Sequence, residues 1–189
     1  EPESRADQTR MMSIVTTGAE TGYYVDVFRS RKEKGGDKMH DYFYHDLGQT
    51  LTLTAADGSD LNLQPTEELA FAGAHLYAYS YLYDKKVAAT AKDVKATFTI
   101  DMKDKDGDDI YMNLWMKGEP DREVFTALAP MTEGLSRTPN MPYNIKEQPT
   151  LTFVARQHGE AWNRPFVSIY EPSTKKEPSA IQSVSYFDA

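Results

Sequence analysis

The chain has no cysteine among its 189 residues, which excludes a disulfide framework and thiolate chemistry. It has only four histidines, the imidazole ligands that zinc often takes, and only two tryptophans. Lys and Arg number 21 against 29 Asp and Glu, and the net charge of −8 argues against a broad nucleic-acid-binding face. No apolar run approaches the roughly 20 residues of a membrane-spanning helix. A local basic pocket for an anionic sugar remains compatible with this composition.

Helical periodicity is almost absent, and apolar residues instead recur at every second position. The runs Val94–Met102 and Ile110–Met116 both alternate in this way across an Asp-Gly turn, so we expect them to pair as a hairpin. About a dozen such runs, separated by turn residues and prolines, predict an all-β fold, a two-sheet antiparallel β-sandwich with little helix. We expect a flexible segment over residues 1–10 and a single domain over residues 11–189.

The other predicted strands rest on the same alternation. They are Met12–Thr17, Leu51–Ala55, Leu61–Gln64, His75–Tyr83, Arg122–Leu128, Thr150–Arg156, Pro165–Glu171 and Ile181–Phe187. Asp57 and the glycine after it are expected to join two of these strands as a hairpin. A short helix is predicted over Thr66–Ala72, and Met131–Glu147 is predicted to be a long irregular loop.

The segment Gly22–Gly48 concentrates the residues that could carry chemistry. Two runs rich in aromatic and β-branched residues flank a charged turn from Lys32 to Lys38, a pattern that predicts a β-hairpin. The second run holds two of the four histidines, beside several tyrosines and aspartates. This segment is therefore the first candidate for a catalytic or binding role.

Strand geometry separates the two histidines of this segment. His40, Tyr42 and Tyr44 are two residues apart and share one face, whereas His45 points to the opposite face. Zinc is usually held by three or four converging ligands. We therefore predict no metal site and no cofactor, and we expect the face with His40 to be the one available for contacts.

Aromatic residues offer a second kind of candidate site. Four tyrosines alternate over residues 77–83, which favours a structural role on a half-buried sheet face and leaves a sugar-stacking platform as the alternative. Trp115 and Trp162 are candidates for the same stacking role, because indole faces can meet the apolar C–H faces of pyranose rings.

Four segments together resemble the C-terminal β-sandwich part of heparinase II/III-type polysaccharide lyases from Bacteroidetes. These segments are Tyr24–Arg29, His40–Gly48, Leu151–Gln157 and Arg164–Pro172. The resemblance implies an N-terminal α/α toroid followed by antiparallel sheets. It also implies β-elimination of a uronic-acid polysaccharide, in which a Tyr or His base removes a proton and a cation or polar group neutralises the sugar carboxylate.

The resemblance also implies that most catalytic groups lie outside this chain. In the family the catalytic Tyr and one catalytic His come from the toroid. A second His and the zinc ligands surround His-x-His and His-Asn signatures, and neither signature occurs here. The implied role is a secreted domain, periplasmic or extracellular, that packs on a missing α/α toroid, contacts an anionic polysaccharide and is inactive alone.

The candidate substrate contacts follow from these patterns. They are Arg29, His40, Tyr42, Tyr44, Trp115 and Trp162. Three alternatives stay open: a stand-alone carbohydrate-binding module that uses the tryptophans, a metal-dependent hydrolase, and a structural domain without a ligand. We expect neither a nucleic-acid partner nor a membrane span.

Overall fold

The computed structural model describes residues 5–69, 77–102, 107–132, 137 and 147–186. In these residues eleven strands form two antiparallel sheets, which confirms the predicted all-β, two-sheet fold. The strands are β1 (Ala6–Thr16), β2 (Gly22–Lys32), β3 (Met39–Asp46), β4 (Thr50–Ala55), β5 (Gln64–Pro65), β6 (Tyr83–Ala89), β7 (Val94–Ile100), β8 (Ile110–Met116), β9 (Arg122–Ala129), β10 (Thr150–His158) and β11 (Ala161–Thr174). Most of the predicted loop 131–147 lies outside the described residues.

The core lies between a six-stranded sheet, ordered β1-β2-β11-β8-β7-β4, and a five-stranded sheet, ordered β3-β10-β9-β6-β5. Alternate residues of each strand point inward, and Phe98, Leu114, Phe153 and Phe166 are fully buried there. The predicted hairpin of β7 and β8 is confirmed by their antiparallel pairing. No helix in the described part of the chain is long and apolar enough to cross a membrane.

The predicted hairpin over Gly22–Gly48 is wrong. Strand β2 pairs with β1 and β11 in the larger sheet, whereas β3 pairs with β10 in the smaller one. The two strands face each other across the core, where the rings of Phe28 and Tyr42 have centroids 6.2 Å apart. Alternation shows that a strand has a buried face, but it does not show whether the next strand lies beside it or opposite it.

The predicted hairpin at Asp57 is wrong for the same reason. Strand β4 pairs with β7 in the larger sheet, and β5 pairs with β6 in the smaller sheet. The connection over residues 56–63 therefore crosses from one layer to the other. Both misassigned turns lie where the chain changes sheet.

The predicted strand His75–Tyr83 is also wrong in its described part. Tyr77–Tyr81 forms a 3-10 helix, and β6 begins only at Tyr83. The Tyr79 hydroxyl donates to Asp41 Oδ2 at 2.6 Å, and its ring packs edge-on against Phe43. These contacts with β3 replace the pairing that alternation predicts, so the tyrosines form no ladder on one strand face.

Three terminal or local predictions differ from the structure. Residues 66–69 of the predicted helix are irregular, and the rest of that helix lies outside the described residues. Residues 181–186 of the predicted strand Ile181–Phe187 form no strand, and the N–H groups of Ala180 and Ile181 donate instead to the Glu171 carboxylate; Phe187 lies outside the described residues. Residues 6–10 lie in β1 rather than in a flexible segment, and Arg10 forms an ion pair with Asp26 of β2 at 2.6 Å.

Candidate functional site

The six predicted contact residues divide into a buried group and a group at one end of the sandwich. Tyr42 is 5% exposed and Trp115 is 6% exposed, so neither can stack on a sugar ring. Tyr44 packs into the core against Phe98 and Tyr170, with ring centroids 5.3 Å and 4.8 Å away. The expectation that the Tyr42 and Tyr44 face is a contact surface is corrected: that face is the inner face of β3.

Tyr42 belongs to a closed polar cluster, the Asp26 network, made of Arg10, Asp26, Tyr42, Ser168 and Tyr170. The Asp26 carboxylate is fully buried and accepts from Arg10 Nε at 2.9 Å and from the Tyr42 hydroxyl at 2.5 Å. The Tyr42 hydroxyl also contacts Ser168 and Tyr170. Burial raises the pKa of Tyr42, and Tyr170 and Asp26 raise it further. The hydroxyl therefore remains a protonated donor with a structural role.

Trp115 lies on the outer face of the larger sheet, where it pairs with Ile169 of β11. Lys95 Nζ lies 4.9 Å from the centre of its ring. On the same face Glu171 accepts from the N–H of Ala180 at 2.7 Å, so the C-terminal segment crosses this side of the sheet. The predicted sugar-stacking role of Trp115 is therefore corrected: its position suits packing.

Arg29, His40 and Trp162 gather at one end of the sandwich, here called the Trp162 end and defined as residues 29–40 and 158–163. Arg29 Nη1 donates to the carbonyl oxygen of Trp162. The N–H of Gly159 donates to the carbonyl oxygen of Lys38 at 2.9 Å, which ties the two segments together. Gly159 has a φ of 79°, a left-handed conformation that glycine adopts without steric strain.

A β-bulge explains why Trp162 stands out of the sheet. Ala161 pairs with Ser30 and Phe166 pairs with Phe28, so four residues of β11 oppose a single residue of β2. Pro165, which has no N–H to donate to a ladder, lies within the bulge. Bulges of this kind re-aim side chains near functional sites. Here the bulge carries Trp162 away from the regular pairing.

The Trp162 end is locally basic. Residues 29–40 and 158–163 hold five cations, Arg29, Arg31, Lys32, Lys34 and Lys38, against three carboxylates, Glu33, Asp37 and Glu160. The whole chain has a net charge of −8, so this concentration of positive charge stands apart from the rest of the molecule. Such a patch attracts anionic ligands at moderate ionic strength.

The first cavity of the Trp162 end has a volume of about 380 Å³. It opens between the inner face of β1 and β2 on one side and the start of β3 on the other. Its polar lining includes Gln8, Ser30, Lys32, Lys38 and His40. Of the three gathered residues, His40 is the one that lines this cavity.

The second cavity, of about 370 Å³, is lined by Trp162 and Asn163 and shares Lys32 with the first. The guanidinium carbon of Arg31 lies 4.2 Å from the centre of the Trp162 ring. The Glu160 carboxylate accepts from the N–H groups of Trp162 at 2.6 Å and Asn163 at 2.9 Å. The backbone of Trp162 is therefore fixed by Glu160, beside a cavity that is also lined by the amide group of Asn163.

Asp37 lies between the two cavities and contacts residues that line each of them. Its Oδ1 lies 2.6 Å from His40 Nε2 and accepts from the N–H of Lys32 at 2.6 Å. Burial alone would raise the pKa of Asp37, but these hydrogen bonds lower it below its ordinary value. Asp37 is therefore ionised at neutral pH, and it fixes the imidazole of His40.

The sequence does not single out Ser30, Lys32, Lys38 or Asn163. The sequence does show the charged turn after β2. The predicted hairpin, however, places this turn at the tip of two paired strands, so the contact between the turn and β11 could not be predicted. His45 is on the opposite side of β3 from His40, as predicted, and its Nδ1 lies 2.8 Å from Thr152 Oγ1. Among the described residues no three His, Asp or Glu side chains converge as metal ligands.

Comparison with curated proteins relates this sandwich to the polysaccharide lyases. The chain is 34% identical over 186 residues to an endo-acting ulvan lyase from Formosa agariphila. The match includes 96% of this chain, and the chain spans about a fifth of the length of that relative, 21%. No family model matches the chain. No solved structure matches it either.

Proposed function

We propose that this chain is the C-terminal β-sandwich domain of a secreted, heparinase II/III-like polysaccharide lyase and contacts an anionic polysaccharide at its Trp162 end. The observation that carries the proposal is the 34% identity over 186 residues to an ulvan lyase, of which the chain covers only 21%. In this arrangement a missing α/α toroid holds most of the catalytic groups. Export to the periplasm or the extracellular space follows from the size of the substrate, which cannot cross a membrane intact.

The composition of the Trp162 end supports contact with an acidic glycan. Trp162 offers an indole ring beside a cavity of about 370 Å³, and Asn163 offers hydrogen bonds to sugar hydroxyls. The cations of the turn after β2 can neutralise sugar carboxylates. Together these groups supply the stacking, the hydrogen bonding and the charge that an acidic polysaccharide requires.

The exposed apolar side chains of strand β1 are evidence that this domain packs against another domain. It is the outer strand of the larger sheet, so one of its edges has no strand partner among the described residues. It exposes Met11, Met12 and Ile14, and Ile14 is 72% exposed. Contiguous exposed apolar residues on an edge strand mark an interaction surface. The occupant we propose is the toroid of the same parent protein, since most of the length of the matched relative lies outside the matched region.

The isolated chain is expected to lack lyase activity. To test this, the purified chain is incubated with ulvan, alginate, heparin, heparan sulfate and chondroitin sulfate, and the absorbance of unsaturated uronate is followed. We expect no turnover, while the full-length protein cleaves at least one of these polymers. Turnover by the isolated chain that disappears in His40→Gln would contradict the proposal, because the catalytic base would then lie in this domain.

A stand-alone carbohydrate-binding module is the second candidate, favoured by Trp162 and its cavity, which are complete without another domain. Affinity electrophoresis in gels that contain polysaccharide separates the two functions. A module binds equally well alone and in the full-length protein. A lyase domain that forms one side of a cleft binds more weakly alone, because the toroid contributes the other side.

A further inference from the structure

Ser30 holds a buried hydroxyl that the fold itself does not use. The residue is 1% exposed, and its Oγ has no hydrogen-bond partner among the described residues. It lies on the inner face of β2 and lines the first cavity. Buried side-chain polar atoms nearly always have a partner, so an unpartnered hydroxyl in the wall of a cavity points to a ligand.

Two lysines line the same cavity, and neither forms an ion pair within the described chain. Lys32 comes from β2 and Lys38 from the residue before β3, and no carboxylate of the described residues lies within 4.0 Å of either ammonium group. Other lysines of the protein do pair. The pairs are Lys92 with Asp57, Lys117 with Asp93, Lys175 with Asp109 and Lys176 with Asp108.

Asp41 lines the first cavity and Asp37 lies beside it, and both carboxylates are already engaged. Asp37 contacts His40 and the N–H of Lys32. Asp41 accepts from Arg156 Nε at 2.7 Å and from the Tyr79 hydroxyl at 2.6 Å. The charge that remains to face the cavity is therefore positive, and the Ser30 hydroxyl is available as a donor. A hydroxyl and ammonium groups that line the same cavity can together bind an oxyanion.

The size and the other walls of the cavity suit a sugar. Its volume of about 380 Å³ falls in the range of roughly 300–1,000 Å³ that is typical of small-molecule sites. Phe28 supplies an apolar wall and Gln8 supplies an amide for ring hydroxyls. Lys32 joins this cavity to the one beside Trp162, so neighbouring sugars of one polymer can occupy both.

We propose that the first cavity binds the carboxylate of a uronic acid residue, with the Ser30 hydroxyl and the ammonium groups of Lys32 and Lys38 as its donors. This inference rests on the proposed function for the identity of the polymer, but the cavity itself is defined by these side chains. The site places the charged group of one sugar next to the tryptophan that meets its neighbour.

The test uses the full 189-residue chain and the monosaccharide sodium glucuronate, with NMR chemical shifts as the readout. Glucose is the neutral control and inorganic sulfate is the control for simple charge. We expect saturable shifts at the residues that line the first cavity with glucuronate. Glucose and sulfate are expected to bind at least about tenfold more weakly, because each lacks one half of the recognised group.

Three variants sharpen the test. Ser30→Ala removes a donor to a charged group and is expected to weaken glucuronate binding about tenfold without harming the fold. Lys38→Gln, at an exposed position, is expected to weaken it about threefold. Lys34→Gln is the matched control: it removes the same charge from the same turn but lies outside both cavities, so we expect less than a twofold change.

Two outcomes would overturn the inference. One is glucuronate binding that is equal in wild type, Ser30→Ala and Lys38→Gln, and the other is sulfate binding as tight as glucuronate binding. The proposed function is tested separately by polysaccharide binding. If the polymer binds wild type and both variants equally, only the role of the cavity is lost. If the polymer does not bind but glucuronate does, the cavity stands and the proposed function fails.

Discussion

Asp26, in the Asp26 network, and Ser30, in the wall of the first cavity, lie four residues apart on the same face of β2. The polar group of Asp26 has hydrogen-bond partners, whereas that of Ser30 has none among the described residues. Asp26 accepts from Arg10 and Tyr42 and is fully buried among three strands. Ser30 is equally buried, but its hydroxyl has no partner among the described residues. Burial alone therefore does not give a polar residue a structural role. What matters is whether the fold completes its hydrogen bonds.

The bulge in β11 is the physical origin of this difference. At Asp26 the pairing of β2 and β11 is regular, and Ser168 lies directly opposite. Beyond Phe28 the register shifts, and the residues after Ala161 leave the ladder. The sandwich is therefore closed at the Asp26 network and open at the Trp162 end.

The largest expected effect is a loss of folding stability when the Asp26 network is broken. Asp26→Ala leaves the buried Tyr42 hydroxyl and the half-exposed guanidinium of Arg10 without their shared acceptor, so we expect the free energy of unfolding to fall by about 2–3 kcal/mol. Urea unfolding followed by circular dichroism measures it, with Ser30→Ala as the matched control at about 0 kcal/mol. A loss below about 1 kcal/mol in Asp26→Ala would mean that the network does not stabilise the fold.

The second effect concerns binding rather than stability. Trp162→Ala is expected to weaken binding of an anionic polysaccharide by about tenfold or more, because a single tryptophan can supply much of the contact energy. The unfolding midpoint should stay near that of wild type. Tyr83→Ala removes an exposed aromatic side chain from the smaller sheet and serves as the control. Equal losses in the two variants would argue against a specific site.

The third effect is a dependence of folding stability on pH, which arises from Tyr42 in the Asp26 network. Burial, then Tyr170 and Asp26, raise the pKa of Tyr42 above the ordinary tyrosine value of about 10. The unfolded chain therefore loses this proton first, and stability that is fully present below pH about 10 declines as the pH rises further. Urea unfolding between pH 8 and pH 11 should give a shallower decline in Tyr42→Phe. An unchanged slope would contradict this assignment.

The smallest effect is expected on the exposed strand β1. Ile14→Ser should change the free energy of unfolding of the isolated chain by less than about 0.5 kcal/mol, because the side chain is 72% exposed. The same substitution in the full-length protein should weaken the contact between domains, measured by limited proteolysis of their junction. A loss above about 1 kcal/mol in the isolated chain would mean that Ile14 packs within this domain.

The class of fold could be predicted from the sequence, because apolar residues alternate along runs such as β7 and β8, and this alternation marks strands. The pairing of strands on either side of a change of sheet could not. Alternation is the same for a neighbour in the sheet and for a strand across the core, as Phe28 and Tyr42 demonstrate.

The candidate site could be predicted only in part, for a related reason. Residue type alone points to His40, Arg29 and Trp162, and these three meet at one end of the sandwich. The same reasoning points to Tyr42 and Tyr44, which pack into the core, and to Trp115, which is buried on the outer face of the larger sheet. Ser30 and the lysines beside it become candidate site residues only once the cavity is known. The cavity lies where the two sheets and the bulge meet, which the sequence does not show.

The most direct test of glycan contact at the Trp162 end is to map the surface at which the wild-type chain contacts an acidic oligosaccharide. Backbone NMR shifts are recorded while oligosaccharides prepared from ulvan or alginate are added. We expect the perturbed amides to cluster in residues 29–40 and 158–163, and we expect the amide signal of Trp115 not to move. Perturbations centred on another face of either sheet, or none at millimolar oligosaccharide, would contradict this expectation.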